Sequence, residues 1–269
     1  EFRRVLFRSL FRIGLRYLLR LSSVARLTQE LSALAEWVLE NLLNEFRNRY
    51  ESRYGIPQTA SGEPCGFTII GMGKFGGGEI NFTSDLDLML VFDDDQGEVI
   101  SGGKANPEIG VKEFFVRLSG EMLKAMSTQS VEGGLYKTDV RLRPHGKGGD
   151  LAGSMAQYRS YYEKEAALWE RQALTRARFV AGNQATAERF LEMSSDFVYA
   201  EGLSEKQKFD IAHLRGRIER ERKGEKLKSG QGGLIDVEFL VQAIQLEHGR
   251  EHPEIRSPNT SGALKAIAD

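Results

Sequence analysis

Residues 67–92 read FTIIGMGKFGGGEINFTSDLDLMLVF, and this stretch decides the fold. It holds two apolar runs of strand length, FTIIG at 67–71 and DLDLMLVF at 85–92. The segment between them, GMGKFGGGEINFTS, carries five glycines with room for a short helix (the first glycine ends the first run). The pattern therefore predicts a strand, a glycine-rich turn, a short helix and a second strand.

The second of these strands is predicted to hold two carboxylates side by side. Because side chains alternate along a strand, Leu86, Leu88 and Leu90 point into a core, while Asp85 and Asp87 point the other way. Two neighbouring carboxylates repel each other, and Mg²⁺, which prefers carboxylate oxygens and substrate phosphates, removes the conflict. A polar, solvent-exposed sheet face is the alternative explanation, and a D-x-D pair alone does not exclude it.

A further strand is predicted over residues 134–144, GLYKTDVRLRP, and it supplies a third acid. Its alternation puts Asp139, Arg141 and Arg143 on one face. If this strand lies beside the Asp85 strand, three carboxylates face one place. Three acids around two Mg²⁺ ions, with arginines for phosphate charge, are the groups that nucleotidyl transfer uses. The alternative is that one arginine pairs with a carboxylate in a purely structural role.

The glycine-rich turn indicates a phosphate site. Glycines lack a Cβ atom, so backbone N–H groups can approach a triphosphate closely. The turn is not a Walker A loop, because GxxxxGK[ST] is absent and Lys74 precedes the glycine cluster. Gly71, Gly73 and Gly76 match GxGxxG in spacing, but the acids that follow open a strand, so a dinucleotide site is not indicated.

The rest of the chain is predicted to be mostly helical. Apolar residues recur with a period of 3.6 residues over 10–54, and helices are also predicted over 111–126 and 234–248, whereas 93–110 is predicted to be a polar loop. Ser154 and Gln157 predict a capping box for a helix that ends at Gly182. Trp169 within it is predicted to lie in the core, with a base-stacking platform as the alternative.

We expect three segments. Residues 1–60 are the N-terminal helical segment, of which residues 1–9 are treated as a candidate non-native leader. Residues 61–150 are the core, and residues 151–269 form a helical domain that continues past the end of the sequence. A stripe of arginines four residues apart in the first segment is interpreted as the solvated face of a domain helix, with a membrane-surface or targeting helix as the alternative.

Composition narrows the function. The net charge is −1, with 41% hydrophobic and 28% charged residues, as in an ordinary soluble protein. Residues 61–150 hold 14 acidic and nine basic residues and 17 of the 29 glycines. An acidic catalytic segment argues against a nucleic-acid substrate, and no apolar run is long enough to span a membrane. The single cysteine, Cys65, rules out an internal disulfide and favours a cytoplasmic setting.

The chain resembles nucleotidyltransferases of the DNA polymerase beta superfamily. More narrowly, it is similar to one nucleotidyltransferase half of the bacterial glutamine synthetase adenylyltransferase/adenylyl-removing enzymes. The resemblance runs from about Arg12 to the end and rests on four blocks in the family's order: GMGKFGGGEINFTSDLDLML, TDVRLRPHGKGGDL, LWERQALTRARFVAG and GQGGLIDVEFLVQ. It implies an α+β fold, in which a small mixed sheet with flanking helices precedes a helical domain.

The resemblance also implies roles for residues. Asp85, Asp87 and Asp139 would be the catalytic acids and would bind two Mg²⁺ ions. The expected nucleotide-binding residues are Gly73, Lys74, Gly76, Gly77, Ser84, Arg141, Arg143, Lys228, Asp236 and Glu238. For Asp236 and Glu238 a structural role is the alternative, since an acid in the first turn of a helix is stabilised by the helix dipole.

The implied reaction moves AMP between ATP or ADP and a tyrosine of glutamine synthetase, the protein substrate. One half of such enzymes adds AMP, and the other removes it by phosphorolysis. The blocks occur in both halves, and their wording is slightly closer to the adenylylating half. A PII-type regulatory protein would act through the full-length enzyme. The alternatives are a uridylyltransferase or another nucleotidyltransferase of the superfamily, or a catalytically silent regulatory module, although a silent module would be expected to lack one of the acids.

Overall fold

Two long helices open the chain, α1 (Phe2–Leu18) and α2 (Val24–Tyr54). The computed structural model describes residues 2–128, 134–221 and 226–269. Leu6 and Ile13 of α1 are buried in the same core as α2, and Arg16 pairs with Glu30 at 2.8 Å. This packing supports the interpretation of α1 as a domain helix.

The segments that follow alternate short strands with helices. As far as α4 they are β1 (Ile56–Pro57), β2 (Phe67–Gly71), α3 (Gly73–Gly76), β3 (Leu86–Phe92), β4 (Val99–Ser101), β5 (Lys104–Ala105) and α4 (Val111–Ser127). Then come β6 (Thr138–Asp139), β7 (Gly153–Ser154), α5 (Met155–Lys164), α6 (Leu168–Leu174), β8 (Arg178–Gly182) and α7 (Gln184–Val198). The chain ends with α8 (Glu205–Glu221), α9 (Lys226–Ser229), α10 (Leu234–His248) and α11 (Thr260–Ala268).

The main sheet is mixed and has β3 near its centre. Its strand order is β6-β3-β2-β8, and β7 also pairs with β3. β2 runs antiparallel to both β3 and β8, whereas β6 and β7 run parallel to β3 along its other edge. A second, small antiparallel sheet has the order β1-β4-β5. The expected α+β class, with a mixed sheet and flanking helices, is confirmed.

The alternation of β3 divides the core between the two faces of the sheet. Leu86, Leu88 and Leu90 belong to a cluster with α2 and α4, while Met89 and Val91 belong to a second cluster with α5 and α7. Both faces of the sheet are therefore covered along most of β3, and Asp87 is its least buried residue. Across the described residues, none of the helices combines the length and the apolar character that crossing a membrane requires.

Several predicted elements are confirmed, and others are shorter or different. The capping box is present, since the Ser154 Oγ accepts from the Gln157 N–H at 3.2 Å. The helix does not reach Gly182: it ends at Lys164, and Arg178–Gly182 forms β8 instead, because this run pairs with β2. The strand predicted over 134–144 is limited to Thr138–Asp139.

The segment predicted to be a polar loop contains a hairpin. β4 and β5 pair around Gly102 and Gly103, both with positive φ, a conformation that favours glycine. The division of the chain at residues 60 and 150 stays a prediction, and so does the leader at residues 1–9.

Candidate active site

The carboxylates of two neighbouring strands meet at one edge of the sheet. Asp87 on β3 is in register with Asp139 on β6, the adjacency that strand alternation predicts. Asp85 lies one residue before β3, with a half-exposed side chain whose Oδ1 is 3.9 Å from Lys137 Nζ. The three predicted acids therefore lie within one short stretch of the β3–β6 edge.

Asp87 and Asp139 have opposite electrostatic environments. Burial, together with the negative charges of Asp139 and Asp85, raises the pKa of Asp87 to about 6. Hydrogen bonds from Arg141 instead hold the pKa of Asp139 below its usual range. One carboxylate is thus satisfied, while its neighbour carries an uncompensated charge.

The two predicted phosphate-binding arginines differ in what they contact. Arg141 donates hydrogen bonds to Asp139, and its Nε lies 2.9 and 2.8 Å from the two carboxylate oxygens. Arg143 is buried and donates to the backbone carbonyls of Gly149 at 3.1 Å and Val140 at 2.5 Å. Arg141 therefore faces the acids, whereas Arg143 stabilises the turn that follows β6.

The acids have the chemistry of a divalent-cation site, although their side chains are not gathered into one. Among the described residues, no group of three His, Cys, Asp or Glu side chains stands ready to hold a metal ion. Yet the carboxylate oxygens of Asp87 accept no hydrogen bond from any described residue, and their repulsion with Asp139 is what a hard cation relieves. This donor set fits Mg²⁺ once Asp139 exchanges Arg141 for the ion.

The glycine-rich turn lies directly against Asp87. Gly73 has a φ of +53°, and a Cβ atom there would lie 2.5 Å from the Asp87 Oδ2, so only glycine fits. Gly76 and Gly77 are buried against Arg176, whose carbonyl and guanidinium leave no room for side chains. The three glycines therefore allow close packing around the acids.

Ser84 lies in the turn that leads into β3. Its hydroxyl donates to the Asn81 Oδ1 at 3.0 Å and accepts from the Asn81 N–H at 3.0 Å. These contacts stabilise the turn that directly precedes Asp85. A phosphate contact for Ser84 stays a prediction.

Two arginines that motif reasoning did not assign hold the glycine-rich turn in place. Arg176 is buried, donates to the Gly73 carbonyl at 2.8 Å, and forms an ion pair with Glu79. Its Nη1 also donates to the Thr260 Oγ1 at 2.5 Å, which ties the turn to α11. Only the LWERQALTRARFVAG block marked this residue, since a buried arginine leaves no trace in hydrophobic periodicity.

Arg178 also holds the glycine-rich turn in place. It donates to the carbonyls of Gly76 at 2.7 Å and Phe75 at 3.1 Å, and it pairs with Glu36 of α2 at 2.5 Å. Arg178 is the first residue of β8 and Arg176 lies two residues before it, so both anchors of the turn lie at the start of the strand that sequence reasoning missed.

A cleft of about 240 Å³, which we call the base cleft, opens beside Gly73 and lies between α3, α6 and α10. Lys74 and Glu238 line it, as do Trp169 and Gln172. The prediction that Trp169 lies in the core is wrong, because its side chain is 46% exposed. A larger cavity of about 390 Å³ lies elsewhere and contains none of the predicted site residues. We assign the site to the base cleft because Gly73 joins it to Asp87.

Two other predicted nucleotide-binding residues lie away from the base cleft. Lys228 is exposed on the short helix α9. Burial acts to raise the pKa of Asp236, but its hydrogen bonds from Arg215 and the Gly232 N–H leave it below its usual range. Asp236 therefore fixes the glycine turn before α10, the structural alternative foreseen for it.

Sequence comparisons match the chain to one described family and to several relatives. The glutamate-ammonia ligase adenylyltransferase family matches residues 1–193. A bifunctional glutamine synthetase adenylyltransferase/adenylyl-removing enzyme of Pseudomonas aeruginosa is 36% identical over 252 residues, covering 92% of this chain and 25% of that protein. Proteins of the same description from Hahella chejuensis and Stenotrophomonas maltophilia are each 33% identical, covering 97% and 92% of this chain.

The chain spans about a quarter of the length of these relatives. The family match nevertheless includes the glycine-rich turn, the three acids, Arg176 and β8 with Arg178, and thus most of the candidate site. The chain belongs to the glutamate-ammonia ligase adenylyltransferase family.

Proposed function

We propose that this chain is a nucleotidyltransferase unit that moves AMP between a nucleotide and a tyrosine hydroxyl of glutamine synthetase. The observation that carries the proposal is the pairing of Asp87 with Asp139 beside the glycine-rich turn. The relatives are named for both adenylylation and its reversal, which leaves both directions open. A cytoplasmic setting, and a PII-type regulator acting through a longer enzyme, belong to the same proposal.

Mg²⁺ held by Asp85, Asp87 and Asp139 would neutralise the phosphates and stabilise the charge that develops at the α-phosphorus. Arg141, released from Asp139, is placed to bind a phosphate oxygen. Lys74 projects into the base cleft and forms no ion pair with any described residue, so its charge is available to the phosphates. The small Gly73 leaves the Asp87 carboxylate open on that side.

In the adenylylating direction, the tyrosine oxygen forms a bond to the α-phosphorus and loses its proton, while the bond to pyrophosphate breaks. In the reverse direction, inorganic phosphate attacks the same phosphorus, the tyrosine leaves with a proton, and ADP forms. The charged groups serve both directions equally, because each passes through similar charge at the α-phosphorus.

The deciding experiment mixes the chain with Mg²⁺, glutamine synthetase and labelled ATP, and in parallel with adenylylated glutamine synthetase and phosphate. We expect one reaction to run and the Asp87→Asn variant to lose at least 100-fold in rate while keeping its fold. Asp150→Asn is the matched control, since Asp150 is a half-exposed acid of the same segment that pairs with Lys112. Full activity in Asp87→Asn, or transfer of UMP in preference to AMP, would contradict the proposal.

A further inference from the structure

An unpaired buried amide oxygen marks the wall of the base cleft. Gln172 on α6 is only 4% exposed, and its Nε2 donates to the Gln242 Oε1 on α10 at 2.8 Å. Its own Oε1 is buried and accepts no hydrogen bond in the part of the chain that the structure describes. Buried acceptors are almost always paired, so this oxygen points to a donor on something that binds here.

An exposed aromatic ring lines the same cleft as Gln172. Trp169 precedes Gln172 by three residues, so both lie on one side of α6, and both line the base cleft. A second hollow of about 290 Å³ shares Trp169, Gln172 and Leu214 with the base cleft. A half-exposed indole beside an unpaired acceptor provides a flat apolar surface and one directional polar contact.

The size and position of the base cleft limit which ligands it can hold. At about 240 Å³ the base cleft is smaller than the roughly 300–1,000 Å³ usual for whole drug-sized ligands, so it suits one ring system. Gly73 and Lys74 form the end of the cleft nearest Asp87. A nucleotide with its ring in the cleft would thus extend its phosphates past Gly73 toward the carboxylates.

We propose that this cleft binds the adenine base, which stacks on Trp169 and donates its exocyclic amino group to the Gln172 Oε1. The bond to Gln242 occupies the Gln172 Nε2, which leaves the Gln172 oxygen as the group that can accept from a ligand. Uracil and hypoxanthine carry a carbonyl oxygen where a donor is needed and would be rejected. Gln172 is then the residue that selects for adenine over uracil and hypoxanthine, an assignment that rests on the proposed function and deepens it.

The stacking is tested by fluorescence, because the chain has only two tryptophans, Trp37 and Trp169. Trp37→Phe leaves Trp169 as the sole reporter, and Trp169→Phe leaves Trp37. We expect ATP to quench the emission of Trp37→Phe but not of Trp169→Phe, and inorganic tripolyphosphate, which lacks a base, to quench neither. Quenching of Trp169→Phe alone, or of neither variant at saturating ATP, would overturn the proposal.

The hydrogen bond is tested by comparing ATP with inosine triphosphate, which exchanges the amino group for an oxygen. We expect the unmodified chain to bind ATP at least tenfold more tightly, and Gln172→Met to remove this preference while binding tripolyphosphate unchanged. Gln245→Met is the matched control, since Gln245 is equally buried but donates to the Ile255 and Ser257 carbonyls away from the cleft. Equal affinity for the two nucleotides in the unmodified chain would refute the assignment whether or not Gln172→Met folds.

The binding measurements are independent of AMP transfer and separate the two proposals. Adenine-selective quenching without transfer to or from glutamine synthetase would contradict the proposed function and support the base cleft. Transfer of AMP without discrimination between ATP and inosine triphosphate would support the function and overturn the base cleft.

Discussion

Asp87 illustrates how a single side chain can oppose the stability of the fold that holds it. It sits on a strand whose other residues are fully buried, faces two further carboxylates, and receives no hydrogen bond from the described residues. An ordinary structural aspartate is stabilised in its charged form, as Asp139 is by Arg141. An unrelieved charge at this position is better explained by a ligand than by the fold.

Replacing Asp87 with Asn should therefore stabilise the chain in the absence of divalent cations. The folded-state pKa of about 6 lies above the ordinary 3.8, so ionisation destabilises the folded state above pH 6, and this effect fades as the pH falls toward 4. We expect Asp87→Asn to gain about 1–3 kcal/mol in free energy of unfolding at pH 7 and almost nothing near pH 4. Urea titrations of the variant and the unmodified chain at both pH values measure this difference in free energy of unfolding.

The same urea titrations can be repeated in the presence of Mg²⁺. Mg²⁺ should raise the unfolding midpoint of the unmodified chain and have little effect on Asp87→Asn, since binding to the folded state alone stabilises it. A gain that is constant across pH, or equal Mg²⁺ stabilisation of both proteins, would show that charge repulsion at Asp87 is not the cause.

Sequence reasoning located the acids and missed their supports for one physical reason. Asp87 and Asp139 lie in strands, and Asp85 lies directly before one. Because side-chain alternation is local, the common direction of these acids can be predicted from a few neighbouring residues. Arg176 and Gln172 act through partners far away in the sequence, and no local period records such contacts. Trp169 was misplaced in the same way, since a tryptophan in an apolar-looking helix gives no sign of a neighbouring cleft.

At the scale of elements, the glycine-rich turn contains the short helix α3, and Arg176 and Arg178 hold this helix in place through hydrogen bonds to its carbonyls. Arg176 links Gly73 to Glu79 and to Thr260 at the start of α11, and Asn259 donates to the Gly77 carbonyl at 2.9 Å. The position of α3, and with it the room at Asp87, is set by segments more than 90 residues away in the sequence.

Removing the Arg176 anchor should loosen the turn and destabilise the fold. Arg176→Met leaves the partly buried Glu79 without its cation, and we expect a loss of about 2–4 kcal/mol in free energy of unfolding. The double variant Glu79→Gln/Arg176→Met should recover part of this loss. Arg117→Met is the control, because Arg117 forms a half-exposed pair with Glu113 that should contribute under about 1 kcal/mol. A loss in Arg176→Met no larger than in this control would contradict the anchoring role.

Helices and strands were predicted correctly where a local sequence pattern determines them. The prediction failed where a pairing partner far away in the sequence determines the secondary structure. α2, α4 and α10 follow from helical periodicity, and β2 and β3 from short apolar runs between turns. β8 is five residues long, and the local sequence pattern predicts a helix there, because its strand character comes from pairing with β2 more than 100 residues earlier. The TRAR run at 175–178, which leads into β8, also resembles a helix surface when it is considered alone.

At the scale of the whole molecule, β8 makes the sheet depend on chain beyond residue 150. β2 is buried along its full length and bonds to β3 on one side and β8 on the other. α7 then packs against β2 and β8, and its Phe190 is fully buried with Tyr158 of α5. A core ending at residue 150 would expose one edge and one apolar face of its central strands.

Two truncations test this dependence. We expect a chain of residues 1–150 to lack cooperative unfolding, since it loses β8 and the second core cluster, whereas residues 1–199, which keep β8 and α7, should unfold in one cooperative transition. Circular dichroism during urea titration distinguishes them, with residues 1–269 as the reference. If residues 1–150 unfolded as cooperatively as residues 1–199, the core would be complete at residue 150 and β8 would merely dock on it. The expected result instead makes Arg176 and Arg178, which hold the glycine-rich turn, part of the same folding unit as the carboxylates.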